Sequence, residues 1–373
     1  MSEVKTKFGA PSKVPGWVNM ALIPLINLLA AFFISGLVIL IIGDNPIKAL
    51  EILIYGAFGY ADAIGYTLYY TTNFIFTGLA VAIAFHCGLF NIGVEGQAFI
   101  GGLGVGLAAL YLDFMPFWAV IPIAVLASAL FGAAWAYVPG YLQAKRGSHI
   151  VITTIMFNFI AFSIMNYVLV EVLISPDAGG SPETREFAEH TWLAIAPEFT
   201  GMAESPLNAS FLIAIALSAA FYYFVWHTRW GYEIRVVGQN ETAAKYAGIS
   251  PSKNVILAMV ISGALAGFVA VNEILGVHHK VIMEFTGGYG FVGIAVALMG
   301  RNHPVGIFMA ALLFGAIYQG GTELAFEMSS INKEMVIVIQ GLIILFSGAL
   351  EHMFRPKIEG FFRKSSARKT AEA

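Results

Sequence analysis

Long apolar runs dominate the chain and are separated by short polar connections. About 20 consecutive apolar residues cross a bilayer as a helix. Ten runs reach or approach that length: Met20–Ile42, Thr67–Cys87, Ile92–Leu112, Phe117–Val138, Ile150–Leu173, Asn208–Trp226, Val255–Val277, Gly290–Gly300, Val305–Gly320 and Met335–Leu350. Because some of these runs are short, eight or nine spans are an alternative. The pattern predicts an all-α polytopic membrane protein with about ten transmembrane helices.

Short or broken spans are expected near residues 88–97 and 287–304. The first of these segments places Asn91, Glu95 and Gln97 in an otherwise apolar stretch, with glycines between them that permit a helix break. An ionisable group at the centre of a membrane costs about 2.5–3.5 kcal/mol on insertion scales. Such groups usually face a cavity or the interior of a bundle, so these side chains are candidates for a solute pathway. A satisfied structural network of polar side chains is the alternative.

Two further features accompany the breaks. Thr154 and Asn158 are four residues apart and therefore share one face of the fifth predicted span. A polar stripe of this kind lines a cavity or holds neighbouring helices together. The stretch Phe285–Phe291 is rich in glycine and fits a re-entrant turn.

Composition narrows the class of protein. Charged residues make up 12% of the chain, whereas soluble domains contain about 25%. The net charge of −3 argues against a nucleic-acid partner. Cys87 is the only cysteine, which excludes an internal disulfide and a cysteine-based metal site. The sequence contains no phosphate-binding loop and no hydrolase motif, so we expect no catalytic residue, no metal site and no ATP hydrolysis by this chain.

The distribution of lysine and arginine predicts the orientation in the membrane. The loop at 175–207 is acidic with a single arginine and is expected outside. Residues 20–354 are predicted to form the helical bundle of a single domain spanning 1–373. With ten spans, four basic segments share the cytoplasmic side, and they are the tail at 1–19, the loop after the fourth span, the loop at 227–253 and the tail at 355–373.

The basic loop at 227–253 is predicted to contain a short helix. Asn240 can cap it, Glu241 favours its first turn, and Gly248 suits its end. Ala243 and Ala244 would contribute to a small apolar face. Such a helix is suited to insertion into a groove of another protein, although an inter-span helix without a partner is the alternative.

Several of these segments resemble one family. LFNIGVEGQ at 89–97, VITTIMFN at 151–158, and Glu241-x-Ala-Ala-x-x-x-Gly248 are similar to segments of ABC-importer permeases of the branched-chain amino acid/simple sugar superfamily. The nucleoside-type branch is the most similar, and GIAVALMG at 293–300 also fits. The chain departs from that branch at His149, Ile150 and His303, which bears on the solute more than on the family.

The resemblance implies a function and a set of partners. The chain would be the permease subunit of an ATP-driven importer in a bacterial or archaeal cytoplasmic membrane, with both termini cytoplasmic, and would carry a small polar solute, with a nucleoside favoured. It would pair with a second, related permease, with ABC ATPase subunits and with an outside solute-binding protein or lipoprotein. No cofactor is expected in this chain, because ATP and Mg²⁺ are used by the ATPase.

The resemblance also implies roles for individual residues. Seven residues are candidates for the solute pathway: Asn91, Glu95, Gln97, Thr154, Asn158, Phe285 and Phe291. Six are candidates for coupling to the ATPase: Arg235, Glu241, Ala243, Ala244, Gly248 and Ile249.

Other functions are weighed against this one. A simple-sugar ABC permease is the first alternative. An ion-coupled secondary transporter with Glu95 and Glu273 as cation or proton sites is the second, although it would need no docking helix. A scaffold or a membrane enzyme is a further alternative, and the lack of catalytic motifs argues against the enzyme.

Overall fold

The structure is a computed structural model that describes residues 23–176, 179–196, 200–202, 204–328, 330–332, 334–342 and 345. The predicted tails at 1–19 and 355–373 lie outside these residues, as does part of the tenth predicted span. The described residues divide into two compact units, one formed by the two ends of the chain and the other by Leu50–Met328.

The first unit contains α1 (Ile23–Ile42), the beginning of α2 (Pro46–Phe58) and helical residues 334–342. Gly43 adopts a φ of 103°, which only glycine reaches without strain, and it lies in the turn that follows α1. Ser330 hydrogen-bonds to the carboxylate of Asp44 within this unit.

The second unit is a bundle of helices. Its elements are α3 (Ala61–His86), α4 (Val94–Tyr111), α5 (Phe117–Arg146), α6 (Ile150–Tyr167), α7 (Ser210–His227), α8 (Arg229–Gln239), α9 (Glu241–Tyr246), α10 (Pro251–Ala270), α11 (Tyr289–Met299) and α12 (Pro304–Glu327). Helices α6 and α10 continue as π-helical segments to Val172 and His278 respectively.

The predicted fold class is confirmed. Among the described residues, seven helices are long and apolar enough to cross a membrane, or eight if Leu29–Ile42 and Pro46–Phe58 form one bent span. Helix α11 has only 11 residues, which at about 1.5 Å per residue is roughly half of a bilayer core. The sequence pattern did not predict α2.

Helices α3, α4 and α10 occupy the centre of the second unit, while α5, α6 and α7 expose most of their surface. Two glycines allow the central packing. A Cβ atom on Gly263 would lie 2.2 Å from the carbonyl oxygen of Gly132, and one on Gly267 would lie 2.4 Å from that of Ser128. Gly263 and Gly267 therefore allow α10 to approach α5 closely.

Candidate functional site

The first break lies between α3 and α4, where residues 87–93 are not helical. The side-chain amide of Asn91 donates to Gln97 Oε1 at 3.1 Å and to Ser262 Oγ at 2.8 Å, and Asn91 Oδ1 accepts from the backbone N–H of Gly93. Asn91 and Gln97 are buried. In this conformation the two amides therefore bond to each other and to α10.

Helix α6 supplies the remaining partners of this break. The Asn158 amide donates to the carbonyl oxygen of Ile92 at 2.9 Å, and its Oδ1 accepts from the N–H of Gly96 at 2.9 Å. Thr154 Oγ1 accepts a longer bond of 3.4 Å from the N–H of Ile92. The polar stripe on α6 thus satisfies backbone groups that the break leaves without helical partners.

The second break precedes α11, and the side chain of Glu95 forms hydrogen bonds with it. Its carboxylate accepts from the N–H of Gly288 at 3.0 Å, from the N–H of Gly290 at 2.7 Å, and from the hydroxyl of Thr286. A carboxylate at a helix N-terminus bonds to donors that have no partner inside the helix and opposes the positive end of the dipole. Glu95 therefore caps α11 from a distant part of the chain.

The two predicted aromatic residues differ in burial. Phe285 is buried against Phe99, with ring centroids 5.5 Å apart and an interplanar angle of 81°. Phe291 is 50% exposed on the outside of α11. The structure therefore brings Asn91, Gln97, Thr154 and Asn158 into one network, places Glu95 at the second break, and leaves Phe291 outside both.

A second buried carboxylate lies in the π-helical end of α10. Glu273 accepts bonds from the hydroxyl of Tyr69 at 2.6 Å and from the amide of Asn73, and His278 Nε2 lies 3.6 Å away. From the sequence, Glu273 was expected only as a cation or proton site of the ion-coupled alternative. Its partners could not be identified from the sequence, because Tyr69 and Asn73 lie about two hundred positions earlier.

A cluster of tyrosines beside the second break was not predicted from the sequence. Tyr318 lies with its ring centroid 5.7 Å from that of Tyr70, 6.4 Å from that of Tyr289 and 5.0 Å from that of Phe74. Tyr289 is buried, whereas Tyr70 and Tyr318 are only partly buried. Aromatic rings with hydroxyl groups can contact a flat apolar surface and also form hydrogen bonds.

The predicted short helix of the basic loop is α9. Asn240 Oδ1 accepts from the N–H of Ala243 at 3.0 Å and caps the helix as expected. At the other end, Gly248 has a φ of 77°, and the N–H groups of Gly248 and Ile249 bond to the carbonyl oxygens of Lys245 and Ala244. This paired arrangement is a Schellman motif.

The side chains of α9 differ in accessibility. Ala244 is fully buried, whereas Ala243 is exposed and Glu241 forms an exposed ion pair of 2.7 Å with Lys245. Tyr246 is 91% exposed and is the largest apolar group on this helix. Its exposure depends on which face of α9 contacts the bundle, and the sequence does not specify that face.

Arg235 and Glu233 belong to α8. The Nε atom of Arg235 is buried, and no residue in the described part of the chain hydrogen-bonds to it. Arg229 donates to Glu233 at 2.8 Å, and this bond lowers the pKa of the Glu233 carboxyl. Because its Nε atom is buried, Arg235 lies against the bundle. It is therefore not part of the exposed surface that α9 presents.

Comparison with known proteins assigns the chain to a family. The family described as "Branched-chain amino acid transport system / permease component" matches residues 63–348, more than half of the chain. This protein is a member of that permease family. It is a multi-pass membrane protein and a transport component of an ABC system, in which ATPase and solute-binding components also take part.

Three relatives cover nearly the whole permease. A guanosine ABC transporter permease of Bacillus subtilis, NupP, is 35% identical over 87% of this chain and 92% of its own length. A nucleoside ABC transporter permease of Lactococcus lactis, NupB, is 34% identical over 94% and 96%. A glucose ABC transporter permease of Haloferax volcanii, TsgB13, is 31% identical over 89% and 88%. The predicted family is confirmed, which decides against the ion-coupled alternative.

Proposed function

We propose that this permease subunit carries a nucleoside through an ATP-driven importer. The observation that carries the proposal is the pair of relatives named for guanosine and for nucleosides, which are 35% and 34% identical over nearly the full chain. The relative named for glucose is 31% identical and makes glucose the second candidate.

The tyrosine cluster supports a solute with an aromatic base. The rings of Tyr70, Tyr289 and Tyr318 lie between 5.7 and 6.4 Å apart. Base–aromatic stacking contributes about 1–3 kcal/mol per base in single-stranded nucleic-acid complexes. Because Tyr70 and Tyr318 are only partly buried, their rings are available to a solute that approaches along α3 and α12.

The seven pathway residues chosen from the sequence remain part of the proposal. In the present conformation, the amides at the first break bond to the protein. Transport requires at least a second conformation. We propose that Asn91, Gln97, Thr154 and Asn158 exchange some of these bonds for bonds to the solute in that state, and that Glu95, Phe285 and Phe291 border the same path.

The partners and the orientation form the next part of the proposal. ABC ATPase subunits would bind α9 and its flanks, placing the α9 end of the bundle in the cytoplasm together with both termini. ATP and Mg²⁺ would act in those subunits. A second, related permease and an outside binding protein or lipoprotein would complete the complex in a bacterial or archaeal cytoplasmic membrane.

The test is thermal stabilisation of the complete purified complex, including its binding protein, across nucleosides, glucose and branched-chain amino acids. A ligand that binds the folded complex raises its stability by RT ln(1 + [L]/Kd). The proposal predicts a rise in Tm with guanosine or another nucleoside. A rise in Tm with glucose alone would agree with an ABC permease but would contradict the nucleoside assignment.

A further inference from the structure

A cleft of about 270 Å³ lies at the end of the bundle opposite α9, where α2, the start of α3 and the end of α12 meet. Ligand pockets typically measure about 300–1,000 Å³, so this cleft suits a small solute or one part of it. It is lined by Ile52, Tyr55, Gly56, Tyr60, Glu323 and Glu327.

The two tyrosines of the cleft form its aromatic part. Their ring centroids are 5.9 Å apart with an interplanar angle of 49°, and Tyr55 is 59% exposed. The hydroxyl of Tyr60 donates to Glu323, and this hydrogen bond raises the pKa of Tyr60 to about 12. The Tyr60 hydroxyl therefore holds the Glu323 carboxylate in position.

Gly56 allows α12 to approach α2 at this point. A Cβ atom on Gly56 would lie 2.5 Å from the Cβ of Glu323, a distance that no side chain tolerates. The glycine therefore lets Glu323 reach the cleft beside Tyr60. The exposed carboxylate of Glu327, one turn further along α12, faces the same space.

The polar groups of the cleft define the solute it would take. Ionised carboxylates only accept hydrogen bonds, so Glu323 and Glu327 require a ligand that donates them. Hydroxyl groups of a sugar are such donors, and the exposed ring of Tyr55 offers a surface for a flat base. Among the described residues, no group of three or more His, Cys, Asp or Glu side chains is arranged to hold a metal ion.

The cleft and the tyrosine cluster described above both involve α3 and α12. Tyr60 precedes α3, and Tyr70 lies inside that helix, where its ring centroid is 5.7 Å from that of Tyr318 on α12. On α12, Tyr318 lies about one turn before Glu323. The same two helices thus present tyrosines from the cleft to the second break.

We propose that this cleft is a receiving site for the solute at the outer end of the path. The carboxylates of Glu323 and Glu327 accept hydrogen bonds from the sugar hydroxyls, and the ring of Tyr55 stacks on the base. This inference rests on the proposed function for the nature of the solute and for the assignment of this end of the bundle to the outside.

Photolabelling of the intact complex in proteoliposomes tests the site directly, with 8-azidoguanosine as the probe and peptide mapping as the readout. The expected label falls on the peptide containing Tyr55 and Tyr60 and disappears in the presence of excess guanosine. Nucleoside uptake is measured in parallel for Tyr55→Ala, Glu327→Ala and the conservative Tyr55→Phe. Tyr111→Ala is the positional control, because Tyr111 is exposed at the same end but does not line the cleft.

The expected kinetic result is a KM increased about fivefold or more in Tyr55→Ala and Glu327→Ala, and by less than about twofold in Tyr55→Phe and Tyr111→Ala. The receiving site alone would be overturned by three results together. These are normal nucleoside uptake by the unsubstituted complex, no label in this peptide, and an unchanged KM in both alanine variants. Absence of nucleoside uptake by the unsubstituted complex would overturn the proposed function. Label in the cleft that excess guanosine fails to displace would also overturn the receiving site.

Discussion

The Oε2 atom of Glu95 accepts a hydrogen bond of 2.7 Å from the backbone N–H of Gly290, 195 residues further along the chain. This bond joins the two breaks of the permease, because Glu95 lies in the first turn of α4 and Gly290 lies in the first turn of α11. Backbone N–H groups within a membrane need a partner inside the protein. Glu95, which was predicted from the sequence to line the solute pathway, therefore also has a structural role in this conformation.

The first prediction concerns that carboxylate. Glu95→Ala leaves the N–H groups of Gly288 and Gly290 without an acceptor, at a cost of about 1–3 kcal/mol for each buried group. We expect a clear fall in the Tm of the purified permease. Glu95→Gln keeps one acceptor oxygen and should lose less. Equal Tm values for Glu95→Ala and the unsubstituted protein would show that the cap contributes nothing.

The second prediction concerns the close approach at the same point. A Cβ atom on Gly290 would lie 2.4 Å from the backbone nitrogen of Glu95, so Gly290→Ala should displace α11 and reduce both Tm and uptake. Gly341→Ala is the matched control, because no atom of the described residues lies within 4 Å of a Cβ built there. Thermal unfolding and uptake are measured for both variants. Identical behaviour of the two would contradict the geometry of the second break.

The third prediction tests the first break. Asn158→Ala removes two hydrogen bonds to the backbone of residues 92 and 96, whereas Thr154→Val removes one long bond from the same segment. We expect uptake to fall more in Asn158→Ala than in Thr154→Val. Ser163→Ala is the control on α6, because among the described residues Ser163 bonds to a carbonyl of its own helix and to no part of the break. If Asn91→Ala and Asn158→Ala both transport with normal rate and affinity, the pathway assignment is wrong.

The fourth prediction concerns α9. An exposed aromatic residue on a docking helix is a common binding hot spot, and its truncation costs about 2 kcal/mol or more. Tyr246→Ala should therefore weaken binding of the ATPase subunit about tenfold or more. Tyr232→Ala removes an exposed aromatic side chain from α8 and should have a smaller effect. Binding is measured by titrating the purified ATPase against the permease in nanodiscs, and equal affinities would exclude Tyr246 from the interface.

The fifth prediction concerns the tyrosine cluster. Tyr318→Ala should raise the KM for nucleoside uptake about tenfold, since it removes a ring from the proposed stacking surface, and Tyr318→Phe should retain most of the affinity. Tyr167→Ala, at an exposed position on α6, controls for the loss of a surface tyrosine. Kinetics of uptake in proteoliposomes distinguish the variants. A similar KM in Tyr318→Ala and Tyr167→Ala would remove Tyr318 from the path.

Features that depend on local sequence were predicted well. Apolar runs gave the spans, glycine-rich stretches gave the breaks, and Asn240 was identified as the cap of α9 because capping involves neighbouring residues. Helix α2 was missed because Lys48 and Glu51 interrupt its apolar pattern. Among the described residues, seven or eight helices are candidate membrane spans, whereas ten spans were expected from the sequence.

Features that depend on distant contacts were not predictable. Glu95 was selected for its position in an apolar run, but its partners Thr286 and Gly288 are set by how α11 packs on α4. Likewise, the burial of Ala244 and the exposure of Tyr246 depend on the orientation of α9 against the bundle. A single sequence provides the periodicity of each helix but not the identity of the helix that it contacts.

ATP-dependent uptake by the reconstituted complex tests the central claim most directly. Radiolabelled guanosine, adenosine, uridine and glucose are offered to proteoliposomes that contain the permease, its partner permease, the ATPase and the binding protein. The account predicts accumulation of at least one nucleoside that requires ATP and is lost in an ATPase-deficient complex. Accumulation of glucose without any nucleoside, or nucleoside uptake that persists without ATP hydrolysis, would contradict it.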